Sequence, residues 1–208
     1  MRRRATLVAG LAAALTAGGL SGCGGGQPDL RVTSISNHQI YHQPFTQAYA
    51  SWRNGDLEIV LADDAAVAAL SGQPTGSPVR QILHVHVLWH PDHGMGNTAP
   101  VTNATLHWYV LADPTSRPGD LLEYTGTAFV TFGGDLNSPT ISIQNASLKC
   151  AYQHGLCDPV GSSRLDGSVT ATTDDVRVTQ LLQEVEDAAT PRTASTTAPA
   201  SPTAAAGQ

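Results

Sequence analysis

The chain has 208 residues, 41% of them hydrophobic and 13% charged, enough apolar material for a domain with a proper core. Its formal net charge at pH 7 is -6, and Lys149 is its only lysine. That balance argues against nucleic acid or an anionic membrane surface as a partner, since both are held by clustered basic side chains.

Residues 1–22 have the pattern of an export signal. Arg2, Arg3 and Arg4 form a basic start, and Leu7 through Ala17 form an apolar run too short to span a bilayer comfortably. The run ends in Leu20-Ser21-Gly22-Cys23, which resembles the lipobox of bacterial lipoproteins at each of its positions. The resemblance is confined to the signal and implies cleavage after Gly22, with a diacylglyceryl thioether on Cys23. It also implies a lipid anchor in a bacterial envelope membrane, with the domain outside the cytoplasm. By resemblance to the sorting rule of enteric bacteria, Gly24 rather than aspartate after the cysteine implies the outer membrane where the cell has one. Each buried methylene of the acyl chains would contribute about 0.8 kcal/mol to anchoring. Residues 23–29 then read as the lipidated cysteine and a flexible tether, and 30–187 as a single β-rich domain. Loss of the three signal arginines makes the mature chain still more acidic.

Within the domain, Asn54-Gly55 separates two β-compatible runs and predicts a hairpin of about 46–53 and 56–62. Asp63 or Asp64 is placed to cap a helical turn reaching Leu70. The clearest strands are "VRQILHVHVLWH" and "NATLHWYVLA". Their two-residue period puts Leu83, Val85, Val87 and Trp89 on one face, with Leu106, Trp108 and Val110 on the matching face of the second strand. Paired as a hairpin, they leave 91–103 as a long loop, the expected recognition surface. Further strands are predicted near 121–132, 139–148 and 164–172. Val178, Leu181, Leu182 and Val185 then follow a helical period behind Asp174 and Asp175, predicting an amphipathic helix over about 174–187. From 188 to 208 the chain is mostly Ala, Thr, Pro and Ser with no large apolar residue, the composition of a disordered tail. The fold expected is mainly β: an antiparallel sandwich or partly closed barrel of about 7–8 strands with one C-terminal helix, the alternative being α+β.

Two groups of residues bear on chemistry. Cys150 and Cys157 flank "AYQHGL" and, in an oxidising compartment, predict a disulfide worth about 2.5 kcal/mol in the chain-entropy account. The alternative is a Cys/His metal site using His154, which would need a fourth ligand and reduced thiols.

The second group is "HVHVLWHPDHG", residues 84–94. On a strand His84 and His86 point the same way, and His107 on the next strand comes opposite His86 or Leu88. His84, His86 and His107 are thus a candidate zinc or copper set, with His90, Asp92 and His93 as a second cluster. "HPDHG" also resembles the second half of the metallo-β-lactamase motif, but Leu88 stands where the first histidine belongs and that fold needs a longer chain. The other reading of these histidines is the polar face of a half-wet sheet.

There is no Gly-x-Ser-x-Gly elbow, phosphate-binding glycine loop or Cys-x-x-Cys. The reading the sequence supports is a membrane-anchored, non-enzymatic binding or structural module of the cell envelope, without a cofactor and with a protein or glycan partner. A metal-dependent protein built on the histidines is the alternative, and an envelope hydrolase a weaker one.

Overall fold

The computed structural model describes residues 28–53, 55–89, 102–114 and 117–190. The protein is mainly β, a curled sheet forming a half-barrel. Its strands are β1 (Asp29–Ser34), β2 (Ile40–His42), β3 (Phe45–Arg53), β4 (Asp56–Asp63), β5 (Val79–Val87), β6 (Ala104–Ala112), β7 (Leu121–Gly134), β8 (Pro139–His154), β9 (Ser163–Thr170) and β10 (Thr172–Thr173). Two helices interrupt and follow them, α1 (Asp64–Leu70) and α2 (Asp175–Ala189). All strands join one sheet in the order β10-β3-β4-β5-β6-β7-β8-β9-β1-β2.

The strand count therefore exceeds the seven or eight expected, and the sheet is single rather than a sandwich of two. The additional strands are β1, β2 and β10, each of six residues or fewer. They are short because they complete an existing sheet rather than begin one. The sheet is also not wholly antiparallel, because β10 runs parallel to β3 through Thr172 with Tyr49 and Thr173 with Ala50.

Chain connection explains the curl. The short β10 follows β9 after the single residue Ala171, yet these two strands lie far apart in the sheet order. The sheet must bend round for β10 to reach β3. Backbone bonds from Thr173 N to Asn137 O (3.0 Å) and from Asp174 N to Ala50 O (2.9 Å) fasten that seam.

The β3–β4 hairpin forms as the Asn-Gly pair predicts. Arg53 pairs with Asp56, and Gly55 has a φ of 93°, a left-handed value that a residue without Cβ adopts freely. The capping residue of α1 is Asp63, whose Oδ1 accepts from Ala66 N at 2.8 Å while Oδ2 accepts from Gln81 N at 2.9 Å. At Gly126 the neighbouring strand comes so close that any Cβ would collide with the Ser147 carbonyl oxygen.

Alternation divides the sheet into two faces. Leu57, Ile59, Leu61, Leu83, Val85, Val87, Leu106 and Trp108 point into the half-barrel and form the main core with residues of β7, β8 and β9. On the outer face Val60, Ala62, Ile82, Leu111 and Leu121 form a second cluster covered by Val178, Leu181 and Val185 of α2. This is the stripe expected from the helical period. Full burial contributes roughly 1.5–3 kcal/mol for each such side chain. Beside this cluster Arg80, only 5% exposed, forms an ion pair with Glu184 of α2.

Candidate functional site

The β5–β6 register decides which histidines meet. His84 lies directly opposite His107, whereas His86 faces Thr105. The sequence expectation placed His107 opposite His86 or Leu88. The shift follows from pairing Val87 with Ala104, which brings Val85 against Leu106 and Leu83 against Trp108 in the core.

His84, His86 and His107 therefore form a corner on the outer face of the sheet, with His86 beside His84 along β5 and His107 across from His84 on β6. The ring centres of His84 and His86 are 6.2 Å apart with planes 7° from parallel, and those of His84 and His107 are 6.3 Å apart at 32°. Among the described residues no group of three or more His, Cys, Asp or Glu side chains is arranged to hold a metal ion. Nε2 of His84 is buried and has no hydrogen-bond partner. Burial first, and then the neighbouring His107 and His86, push its pKa down to about 4.

Two carboxylates flank these histidines, and neither was identified from the sequence. Nδ1 of His107 lies 2.9 Å from Oε1 of Glu123, and Nε2 of His86 lies 3.4 Å from Oδ2 of Asp56. Both sit one pleat away from the residue paired with the histidine's strand. Glu123 pairs with Tyr109, and Asp56 lies two residues before Glu58, which pairs with His86. Register, rather than spacing along the chain, creates these contacts. His107 also stacks on Tyr109 at 6.0 Å, and burial followed by the nearby Glu123 pushes the Tyr109 hydroxyl up to about 12.

The other predicted positions are more dispersed. His90, Asp92 and His93 lie outside the described residues, as do Cys23 and nearly all of the 91–103 loop. The strand β8 runs six residues beyond the predicted 148, so Cys150 lies within it, beside Tyr124 of β7. Cys157 is exposed in the following loop, and both thiols are free. Burial raises the Cys150 thiol, and Sγ donates to Tyr152 O at 3.4 Å. Nδ1 of His154 instead lies near Gly119 O (3.2 Å) and Asp120 Oδ1 (3.4 Å).

A second site opens at the end of the half-barrel where β5 and β7 begin and β6 ends. It is a cavity of about 340 Å³, walled by Val79, Trp108, Val110, Leu122 and Leu156 among others. That volume lies at the lower end of the ~300–1,000 Å³ usual for small-molecule sites. None of its lining residues carries a charged side chain. Its aromatic floor is Trp108 stacked on Tyr124 with ring centres 4.7 Å apart. Polar groups fix these rings. Nε1 of Trp108 donates to Gln81 Oε1 at 3.1 Å, and the Tyr124 hydroxyl donates to Asp158 Oδ1 at 2.5 Å. In the same wall Gln43 Oε1 is buried without a hydrogen-bond partner.

Sequence reasoning missed this cavity because its walls come from strand ends and a loop far apart in the chain. The only signal available was the pair of inward-facing aromatics on adjacent strands. No protein-family model, curated protein or solved structure matches the chain.

Proposed function

We propose that this chain is a lipid-anchored, non-enzymatic binding module of the bacterial cell envelope that holds a small, uncharged, largely apolar ligand in the cavity at the open end of its half-barrel. The observation that carries the reading is the 340 Å³ cavity with apolar walls, a Trp108–Tyr124 floor and no charged lining residue. Such a site attracts by removing apolar surface from water and orients its guest with the few amides and hydroxyls present. Those groups are suited to holding a molecule.

Cys23 carries the anchor in this reading, and the cavity faces the space outside the cytoplasm. A Cys150–Cys157 disulfide would tie the loop bearing Leu156 and Cys157 to β8 and stiffen one wall of the cavity. The 91–103 segment is kept for an envelope protein or glycan partner. Partly closed barrels commonly place ligand sites at their mouths, which further favours this end of the molecule.

The test uses the full chain extracted from membranes in detergent. Saturable uptake of one molecule of the uncharged dye N-phenyl-1-naphthylamine, accompanied by quenching of Trp108, is the expected result. Val110→Trp, which fills the cavity, should abolish it. Equal uptake by the filled variant would overturn the cavity assignment. Separately, Cys23→Ala should move the protein from the membrane to the soluble fraction.

A further inference from the structure

We infer that the cavity at the open end of the half-barrel selects uncharged guests carrying a hydroxyl group, with Gln43 Oε1 as the acceptor that recognises it. The inference rests on the cavity reading above and narrows its ligand to an alcohol or phenol with an apolar body.

Several polar groups of the cavity wall are committed to protein partners. Gln81 Oε1 accepts from Trp108 Nε1 at 3.1 Å, and the Tyr124 hydroxyl donates to Asp158. The Tyr41 hydroxyl is shared between Gln39 Oε1 at 2.8 Å and the Pro159 carbonyl oxygen at 3.2 Å. Among the described residues that line the cavity, Gln43 alone presents a buried side-chain polar atom with no hydrogen-bond partner. The other end of its amide shows which atom this is. Nε2 donates to Tyr41 O at 3.3 Å, and an oxygen in that place would face another oxygen. The atom without a partner is therefore an acceptor, and the group that completes it must be a donor.

A buried acceptor without a partner costs free energy, which a guest bearing an O–H recovers. Charge removes the stronger donors from consideration. A protonated amine would enter a wall with no charged side chain to balance it, and a carboxylate would bring both a charge and further acceptors. A ketone, an ether or a hydrocarbon leaves Oε1 as it was. An uncharged hydroxyl supplies the donor alone, while Val79, Val110, Leu122 and the Trp108–Tyr124 floor receive the apolar body. The backbone of Gln43 is tied to β1 through its N–H to Leu30 O at 3.4 Å. Its last side-chain torsion is broad, so Oε1 can turn to meet a guest while that backbone stays in place. Sites that hydrogen-bond one group of a ligand discriminate strongly against the analogue lacking it.

The test compares 2-naphthol with its methyl ether, 2-methoxynaphthalene, as displacers of N-phenyl-1-naphthylamine from the full chain in detergent. The two share a ring system, and only the first has a donor. In a wall that merely excludes water the ether binds better, by about fourfold, because it buries one more methyl group. With Gln43 as acceptor the order reverses, and naphthol should displace the dye at about one-tenth of the ether concentration. Gln43→Met keeps the length of the side chain without the acceptor and should restore the ether's advantage. Partition into detergent and the dye's own affinity act on both displacers alike in each protein, so the change in their ratio is diagnostic. Circular dichroism checks the fold of the variant, and the ratio in the parent chain stands without it. Dye uptake with the ether equal to or better than naphthol in the parent would overturn this inference and leave the cavity reading intact. A naphthol preference that persists in Gln43→Met would overturn the assignment to Gln43. Absence of saturable dye uptake by the parent would overturn both.

Discussion

The hydroxyl of Tyr124 lies 2.5 Å from Oδ1 of Asp158, joining the floor of the cavity to the loop that walls it. The same oxygen accepts from Val160 N at 3.0 Å and Gly161 N at 2.8 Å. Burial works to raise the Asp158 pKa, but the three hydrogen bonds outweigh it and hold the carboxyl below its ordinary value.

Tyr124→Phe keeps the ring stack and removes only the bond to Asp158. A hydrogen bond to a charged group contributes about 1.5–3 kcal/mol, so the variant should lose stability within that range. Faster hydrogen exchange at the Val160 and Gly161 amides should accompany the loss. Unchanged exchange would mean that the loop is held by other contacts.

The pH dependence of stability should carry a component from His84. Its folded pKa of about 4 lies below the ordinary 6.5, so the unfolded chain binds more protons between those values. This contribution is fully present above about pH 6.5 and is lost as the pH falls toward 4. Between pH 7 and 5 it should amount to about 2 kcal/mol. Urea melts with a chelator present should show His84→Leu to have a flatter pH profile than the parent over that interval.

Asn103 closes the base of the 90–101 segment. Its side chain accepts from Val130 N at 2.7 Å and donates to Trp89 O at 3.0 Å and Val130 O at 2.9 Å. Asn103→Ala strands a buried amide and should cost roughly 2–3 kcal/mol. The urea midpoint should fall while the slope stays constant.

The Arg80–Glu184 pair fastens α2 to β5, and both partners are largely removed from water. Burial lowers the Arg80 pKa, opposed by the carboxylates of Asp113 and Asp63. Glu184→Ala breaks this buried pair, leaving the guanidinium only the carboxylates of Asp113 and Asp63 nearby, and should cost about 3 kcal/mol. Arg80→Met combined with Glu184→Leu should recover most of that loss, because it removes both charges and preserves volume. Thermal melts of the single and double variants separate the cost of an orphaned charge from the value of the pair.

The parts of the fold that were legible in the sequence are those set by period. The two faces of β5 and β6, the Asn-Gly hairpin, a cap at Asp63 or Asp64 and the α2 stripe all follow from residues close together in the chain. β1 was not legible, although Leu30, Val32 and Ser34 alternate inward, because six residues form a strand only when β9 and β2 are alongside. The end of β8 lies beyond the strand predicted near 139–148 because apolar alternation stops there, with Ala151 through His154 all exposed, yet its backbone pairs with β7, where Leu122 faces Gln153. At the histidine cluster the residue types were visible, whereas the register and the two carboxylates depend on neighbouring strands. The cavity depends on the curl of the whole sheet.

The seam between β10 and β3 constrains the order of assembly. Tyr49 and Ala50 meet Thr172 and Thr173, so the edge of β3 waits for a partner made almost last. A chain that emerges with its N-terminus first carries that edge unpaired while β4 through β9 form beside it. Contacts between such distant segments slow folding, and an open strand edge invites pairing with another molecule in the meantime. A chain halted before Thr172 would thus keep the main core inside the half-barrel but leave both the β3 edge and, without α2, the apolar cluster on the outer face uncovered, two surfaces through which it should self-associate.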